Sequence, residues 1–348
     1  MEFTLGIEEE LLLVDRETHA LSHSSHELLG AMNVDTLSAR HDLYEAQIEL
    51  SSTICADAAE ASAEIARLRR VARDAGGTPM GSGIHPAAVL GDVRITQQPR
   101  YTRAAELLGG VVRRTPDCAL HVHVGMPDPD TAIRVCNGLR EHLPLLHALA
   151  ANSAYWYGQD ARLASARFVL RRGFPRVEVP RAFRDFEDFE QAIAPMLAAA
   201  ELDDYTSLWW DVRPHPKLGT VEVRVMDAQS SLESLAGLAA LVHGLAIHEA
   251  LSERREWRDR EPIEEAVFSA TSKGLNARLL DHDGRLRSVP ELAREALELA
   301  RAHLDDARPL DGIERILAEG GGADRQRAAH ATGGMDAVLR MLVEETSG

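Results

Sequence analysis

Two glutamates stand two residues apart in the run Leu5-Gly6-Ile7-Glu8-Glu9-Glu10-Leu11-Leu12-Leu13. Side chains of a strand alternate between faces, so Glu8 and Glu10 point one way while Leu5, Ile7, Leu11 and Leu13 point the other. Their carboxylates start roughly 6.6 Å apart, a spacing that repels unless cations sit between or beside them. The chemistry on offer is divalent-metal binding. The alternative is an edge strand whose glutamates face water.

Three further segments repeat the pattern. In Leu120-His121-Val122-His123-Val124 the two histidines share a face opposite the apolar residues. In 41–50, Glu45, Gln47 and Glu49 alternate with Ala46, Ile48 and Leu50, and in 221–226 Glu222, Arg224 and Met226 alternate with Val221, Val223 and Val225. Four such strands predict an antiparallel sheet, in an α+β fold, with helices over its apolar side and a charged concave site on the other. Carboxylates gathered there need cations, and a set of glutamates with one imidazole suits Mg²⁺ or Mn²⁺ better than zinc. Arginines on the same surface can hold phosphate oxygens. The chain has neither a G-x-x-x-x-G-K-[ST] loop nor a dinucleotide-binding glycine fingerprint. The constellation therefore points to a nucleotide site built on a sheet.

The elements that must position these residues are legible in outline. Alanine, glutamate and arginine between Ala56 and Ala75, closed by Gly76-Gly77, predict a helix. Another runs from Asp128 to Ala151, with an acidic cap and Pro144 as a kink point. Arg162 to Arg176 carries five arginines, a basic loop that is either an anion site or salt-bridged surface. His85, alone in its loop, reads as structural. An acidic helix is expected over Asp185 to Leu202, and 208–227 reads as a hairpin. Beyond Ser231 everything is expected to be helical, at Leu232–Glu256, Pro262–Asp281, Pro290–Asp306, Leu310–Ala318 and Arg325–Glu345. Residues 1–348 show no linker or repeat and read as a single domain.

Thirty-eight basic against 55 acidic residues give a formal charge of -17, which disfavours nucleic acid or an anionic membrane as partner. Three cysteines without C-x-x-C spacing imply neither a disulfide framework nor a structural zinc site. The first residues lack a signal-peptide pattern, and the apolar run Leu235–Leu251 contains His243, His248 and Glu249, as suits a buried helix. A cytoplasmic protein acting on small molecules is expected.

Gly6-Ile7-Glu8-Glu9-Glu10, Ala119-Leu120-His121-Val122-His123-Val124-Gly125, Trp209-Trp210-Asp211-Val212-Arg213-Pro214-His215-Pro216 and Gly219-Thr220-Val221-Glu222-Val223-Arg224, in this order, resemble the bacterial carboxylate-amine ligases. These form the type 2 glutamate-cysteine ligase family of the glutamine synthetase-like superfamily, and the resemblance runs over nearly the whole chain. It implies an antiparallel sheet flanked by helices, ATP with two or three Mg²⁺ ions, and a homodimer. It also implies that Glu8, Glu10, Glu49, His121 and Glu222 hold metal, and that Arg224 faces the nucleotide phosphates. Arg167 would hold a substrate carboxylate, with Arg162, Arg171 and Arg172 as rivals. Asp42 ranks below Glu49, and His123, Arg213 and Glu45 stand in a second tier.

The implied reaction is activation of a carboxylate such as L-glutamate to an acyl phosphate, followed by attack of an amine such as L-cysteine to form an amide, releasing ADP and phosphate. Two alternatives remain at this point. One is a metal-dependent amide hydrolase, because H-x-H on a strand also occurs in such sites. The other is a catalytically weak relative that binds ATP without ligating anything.

Overall fold

The structure is a computed structural model that describes residues 3–254, 256–281 and 283–348. Its centre is a seven-stranded sheet built from Leu5–Leu13 (β1), Ala39–His41 (β2), Gln47–Ser51 (β3), Pro79–Met80 (β4), Ala119–Gly125 (β5), Val212–His215 (β6) and Thr220–Asp227 (β7). The spatial order is β2-β3-β1-β5-β7-β6, with β4 added at the end of β1, and every pairing is antiparallel. This is the fold class expected from the alternation of apolar and ionisable residues.

Leu5, Ile7, Leu11, Ile48, Leu50, Leu120, Val122, Val221 and Val223 form the apolar face. Helices Ala58–Asp74, Pro129–Ala150 and Leu232–Leu251 cover it. Each of the first two is opened by an aspartate that accepts a backbone N–H, Asp57 from Glu60 at 2.9 Å and Asp128 from Thr131 at 2.8 Å. Such caps contribute about 1 kcal/mol apiece. The second helix continues through Pro144. Leu232–Leu251 is apolar and long enough to span a membrane, but it is largely buried against neighbouring helices as a core element.

Glu9 points into this apolar layer and is fully buried. It is satisfied by Arg69 of helix Ala58–Asp74, whose Nε donates to Oε2 at 2.9 Å and whose Nη2 bonds Oε1. The same guanidinium donates to the carbonyls of Gln229 and Ser230 at 2.7 Å. One buried pair thus ties the first strand, the first long helix and the segment after β7 together.

Several expectations are corrected. Residues 41–50 are not one strand, because the chain turns at Tyr44, whose ring is buried with its hydroxyl on the Val112 carbonyl at 2.8 Å. Glu45 falls in that turn and leaves the polar face. Met226 does not share a face with Glu222, because the β5–β7 register passes from Leu120↔Met226 to Val122↔Val223. Arg224 and Val225 both lie opposite His121 in this bulge, and Met226 turns into the core. The C-terminal part is not wholly helical. A helix ends at Lys273, before Gly274 with φ 52, and Arg278–Leu280 pairs with Leu286–Ser288 as a two-stranded ribbon. The final helix, Gly322–Ser347, is interrupted at Gly333 and Gly334. The expected helix end at Glu256 lies five residues beyond the observed end at Leu251, across the undescribed Arg255.

Candidate active site

The sheet register assembles three rows of ionisable side chains on its polar face. Across β2, β3 and β1, Arg40 lies opposite Glu49 and Glu49 opposite Glu10. Across β1 and β5, Glu8 lies opposite His121, and across β5, β7 and β6, His123 lies opposite Glu222 and Glu222 opposite Arg213. Strands chosen for their apolar faces deliver these groups to one place because the side-chain period is two on every strand.

These rows floor a cavity of about 310 Å³. Glu8, His121 and Glu222 each offer a ligand atom within 4.8 Å of the others. His121 Nδ1 lies 3.5 Å from Glu8 and its Nε2 3.9 Å from Glu10, while His123 Nε2 lies 3.7 Å from both Glu8 and Glu222. The Nε2 atoms of both histidines are buried without a hydrogen-bond partner among the described residues. Burial and Arg224 push the His121 imidazolium down to about 3, so a neutral ring faces three carboxylates. A neutral imidazole with a buried unused nitrogen among carboxylates is the donor set of a hard divalent cation. The residues present therefore fit Mg²⁺ or Mn²⁺.

The carboxylates differ in kind. Burial raises Glu222, but Arg224, Arg213 and the two histidines outweigh it and hold the group well below the ordinary range. Arg213 Nε donates to its Oε2 at 2.6 Å and Arg224 bonds its Oε1. Burial likewise raises Glu8, yet its contacts with His121 and His123 hold it well below. Glu10 is pushed up to about 8 by burial and by Asp42. Glu49 is raised well above its usual value by burial and by Glu8, with Arg40 opposing. Burial lowers His123, but Glu222 and Glu8 overcome this and raise it.

Of the residues singled out in the sequence, Glu8, Glu10, Asp42, Glu49, His121, His123, Arg213, Glu222 and Arg224 all line the cavity. Arg171 lines it too, held by Asp117 at 2.9 Å. Arg167 lies behind the wall, 1% exposed between Asp117 at 3.8 Å and Asp227 at 3.5 Å. Arg172 pairs with Asp211 and Glu264, away from the cavity, and Arg162 is at the surface with positive φ. The basic segment is thus partly site and partly salt-bridged structure.

Arg40, Asp117 and Tyr101 are among the cavity residues that escaped the sequence reading. Arg40 sits one residue before the segment taken as a strand. Asp117 shares the parity of Ala119, His121 and His123, a signal that was present but unused. Tyr101 is positioned by its own hydroxyl on the His41 carbonyl at 2.7 Å, which no local pattern announces.

A family model described as glutamate-cysteine ligase family 2 matches residues 4–345. The chain belongs to that family, and it is an enzyme of the glutamate-cysteine ligase kind. A Rubrobacter xylanophilus protein that carries the provisional name glutamate--cysteine ligase 2-3 is 37% identical, the match covering 99% of this chain and 97% of the relative. A Jannaschia protein provisionally named glutamate--cysteine ligase 2 is 33% identical, with 98% and 95% covered. Among solved structures, the glutamate–cysteine ligase of Francisella tularensis in complex with AMP superposes with a TM-score of 0.74 at 15% identity, covering 100% of this chain and 90% of that one. A bifunctional glutathione synthetase of Pasteurella multocida gives 0.72 at 15% identity, covering 99% of this chain and 52% of that one. At such identity the likeness is one of fold.

Proposed function

We propose that the protein joins a carboxylate to an amine with consumption of ATP, through an acyl phosphate, releasing ADP and phosphate. The observation that carries this reading is the cluster of Glu8, Glu10, His121, His123 and Glu222 on a sheet face flanked by Arg213 and Arg224, in a chain of this family. L-glutamate is the first carboxylate to test and L-cysteine the first amine, on the names carried by the relatives.

Glu8, Glu10, Glu49, His121 and Glu222 would hold Mg²⁺ or Mn²⁺, which would neutralise charge on the β- and γ-phosphates. Arg224 lies beside them with Nη1 on Glu222, and its buried Nε has no partner among the described residues, leaving a donor for a phosphoryl oxygen. Arg213 fixes Glu222 from the other side and is anchored on the carbonyls of Thr206 and Leu208. Arg171, reaching the cavity, is suited to a substrate carboxylate. Arg167 backs the same wall through Asp117.

The test is ADP and phosphate release from purified protein with MgATP and L-glutamate over a panel of amines, with the amide sought by mass spectrometry. Amine-dependent release with the matching amide supports the ligase. Zinc-dependent amide cleavage without ATP would replace it with the hydrolase. Nucleotide binding with no product across the panel would indicate a silent relative.

A further inference from the structure

Arg40 is the residue at this site that the metal-ligand set does not explain. It lies on β2, a three-residue edge strand, directly opposite Glu49. A single nitrogen, Nη2, serves two carboxylates, reaching Glu8 at 2.9 Å and bonding Glu49. Those glutamates come from different strands, and Arg40 is the one ion-pair partner of Glu49 among the described residues. The positive charge therefore stands between the two carboxylates, where a cation shared by them would stand. The Arg40 side chain is 39% exposed, against 8% for Arg213 and 11% for Arg224. It borders both the site cavity and an adjoining cavity of about 1010 Å³. A long side chain on a short edge strand can turn into that space without disturbing the sheet.

We propose that Arg40 is a tethered counter-ion, holding Glu8 and Glu49 together before metal loading and displaced from them when a divalent cation binds. The proposal rests on the metal-binding reading above. Two carboxylates on adjacent strands, Glu49 buried and Glu8 partly so, repel, and a guanidinium between them keeps the ladder assembled. The same guanidinium competes with the metal for the same oxygens, so loading is an exchange of one cation for another. Affinity is then set by the difference between the two, as for any pair of competing ligands.

The experiment is calorimetric titration of Mn²⁺ into chelator-treated wild-type protein and into Arg40→Gln, Arg40→Lys and Glu222→Gln, with thermal melting of each metal-free protein. The expected result is Mn²⁺ binding about tenfold tighter in Arg40→Gln than in wild type. The metal-free melting temperature of that variant should be lower and should recover on adding Mn²⁺. Arg40→Lys, which keeps the charge, should return toward wild-type affinity. A purely structural role would weaken metal binding in Arg40→Gln instead. Equal or weaker Mn²⁺ binding by a folded Arg40→Gln overturns the counter-ion assignment while leaving the metal site standing. Wild type that binds no Mn²⁺, with Glu222→Gln indistinguishable from it, overturns the metal site and the counter-ion together.

Discussion

Glu10 and Glu49 lie directly opposite one another in the β1–β3 register, two buried carboxylates on one face of the sheet. Like charges in that position destabilise a sheet. Burial and Asp42 push Glu10 up to about 8, so a proton remains on it near neutral pH until a cation arrives. Mn²⁺ binding is therefore expected to release protons and to tighten from about pH 6 to about pH 8. Calorimetry in buffers of differing ionisation enthalpy measures this, and a pH-independent affinity with no proton release would contradict it.

The same shift has a stability consequence with a definite sign. A carboxyl raised in the folded state contributes stability below its unfolded pKa and loses it as the pH rises through the folded one. His121, pushed down to about 3, acts only below the imidazole range and leaves higher pH to the acids. The metal-free protein should thus melt lower at about pH 9 than at about pH 7, and Mn²⁺ should reverse the trend. Melting curves with and without EDTA check this.

Glu10→Gln isolates metal binding from folding. Its Oε2 accepts the Ala119 N–H at 2.7 Å, a bond the amide oxygen can keep, and the native group is already neutral without metal. ATP turnover is expected to fall by at least ~10²-fold, the scale of losing one electrostatic stabiliser. The metal-free melting temperature should stay within a few degrees of wild type. A Glu10→Gln protein active at saturating Mg²⁺ would remove Glu10 from the proposed ligands.

Arg171 and Arg167 should separate cleanly. Arg171→Ala, at the cavity wall, is expected to raise KM for the carboxylate substrate with little loss of stability. Arg167→Met leaves Asp227 buried without its cation, a loss of about 3–5 kcal/mol. Urea unfolding with steady-state kinetics distinguishes them, and the reverse pattern would exchange their roles.

Arg69→Met is expected to cost a similar ~3–5 kcal/mol, because Glu9 would be left buried beneath the sheet without its ion-pair partner. The double variant Glu9→Gln, Arg69→Met should recover part of that loss. A single variant as stable as wild type in urea would show that the pair does not hold these elements together.

The strictly local content of this chain carried far. Period-two alternation placed Glu8 with Glu10, His121 with His123 and Glu222 with Arg224, and the apolar partners on the same strands implied the covering helices. It failed where the period itself changes, at the bulge that turns Met226 into the core and at the Tyr44 turn that takes Glu45 away.

What alternation along one strand cannot encode is the neighbour and its register. That Glu49 meets Glu10, that Arg40 reaches both Glu49 and Glu8, and that Arg171 rather than Arg167 reaches the cavity depend on strands and helices far apart in sequence. The amino-acid sequence by itself determined which residue types share a face, because backbone geometry sets that within a few bonds. Only the tertiary structure decided which faces meet, because the packing of a whole apolar layer selects the one register that buries it.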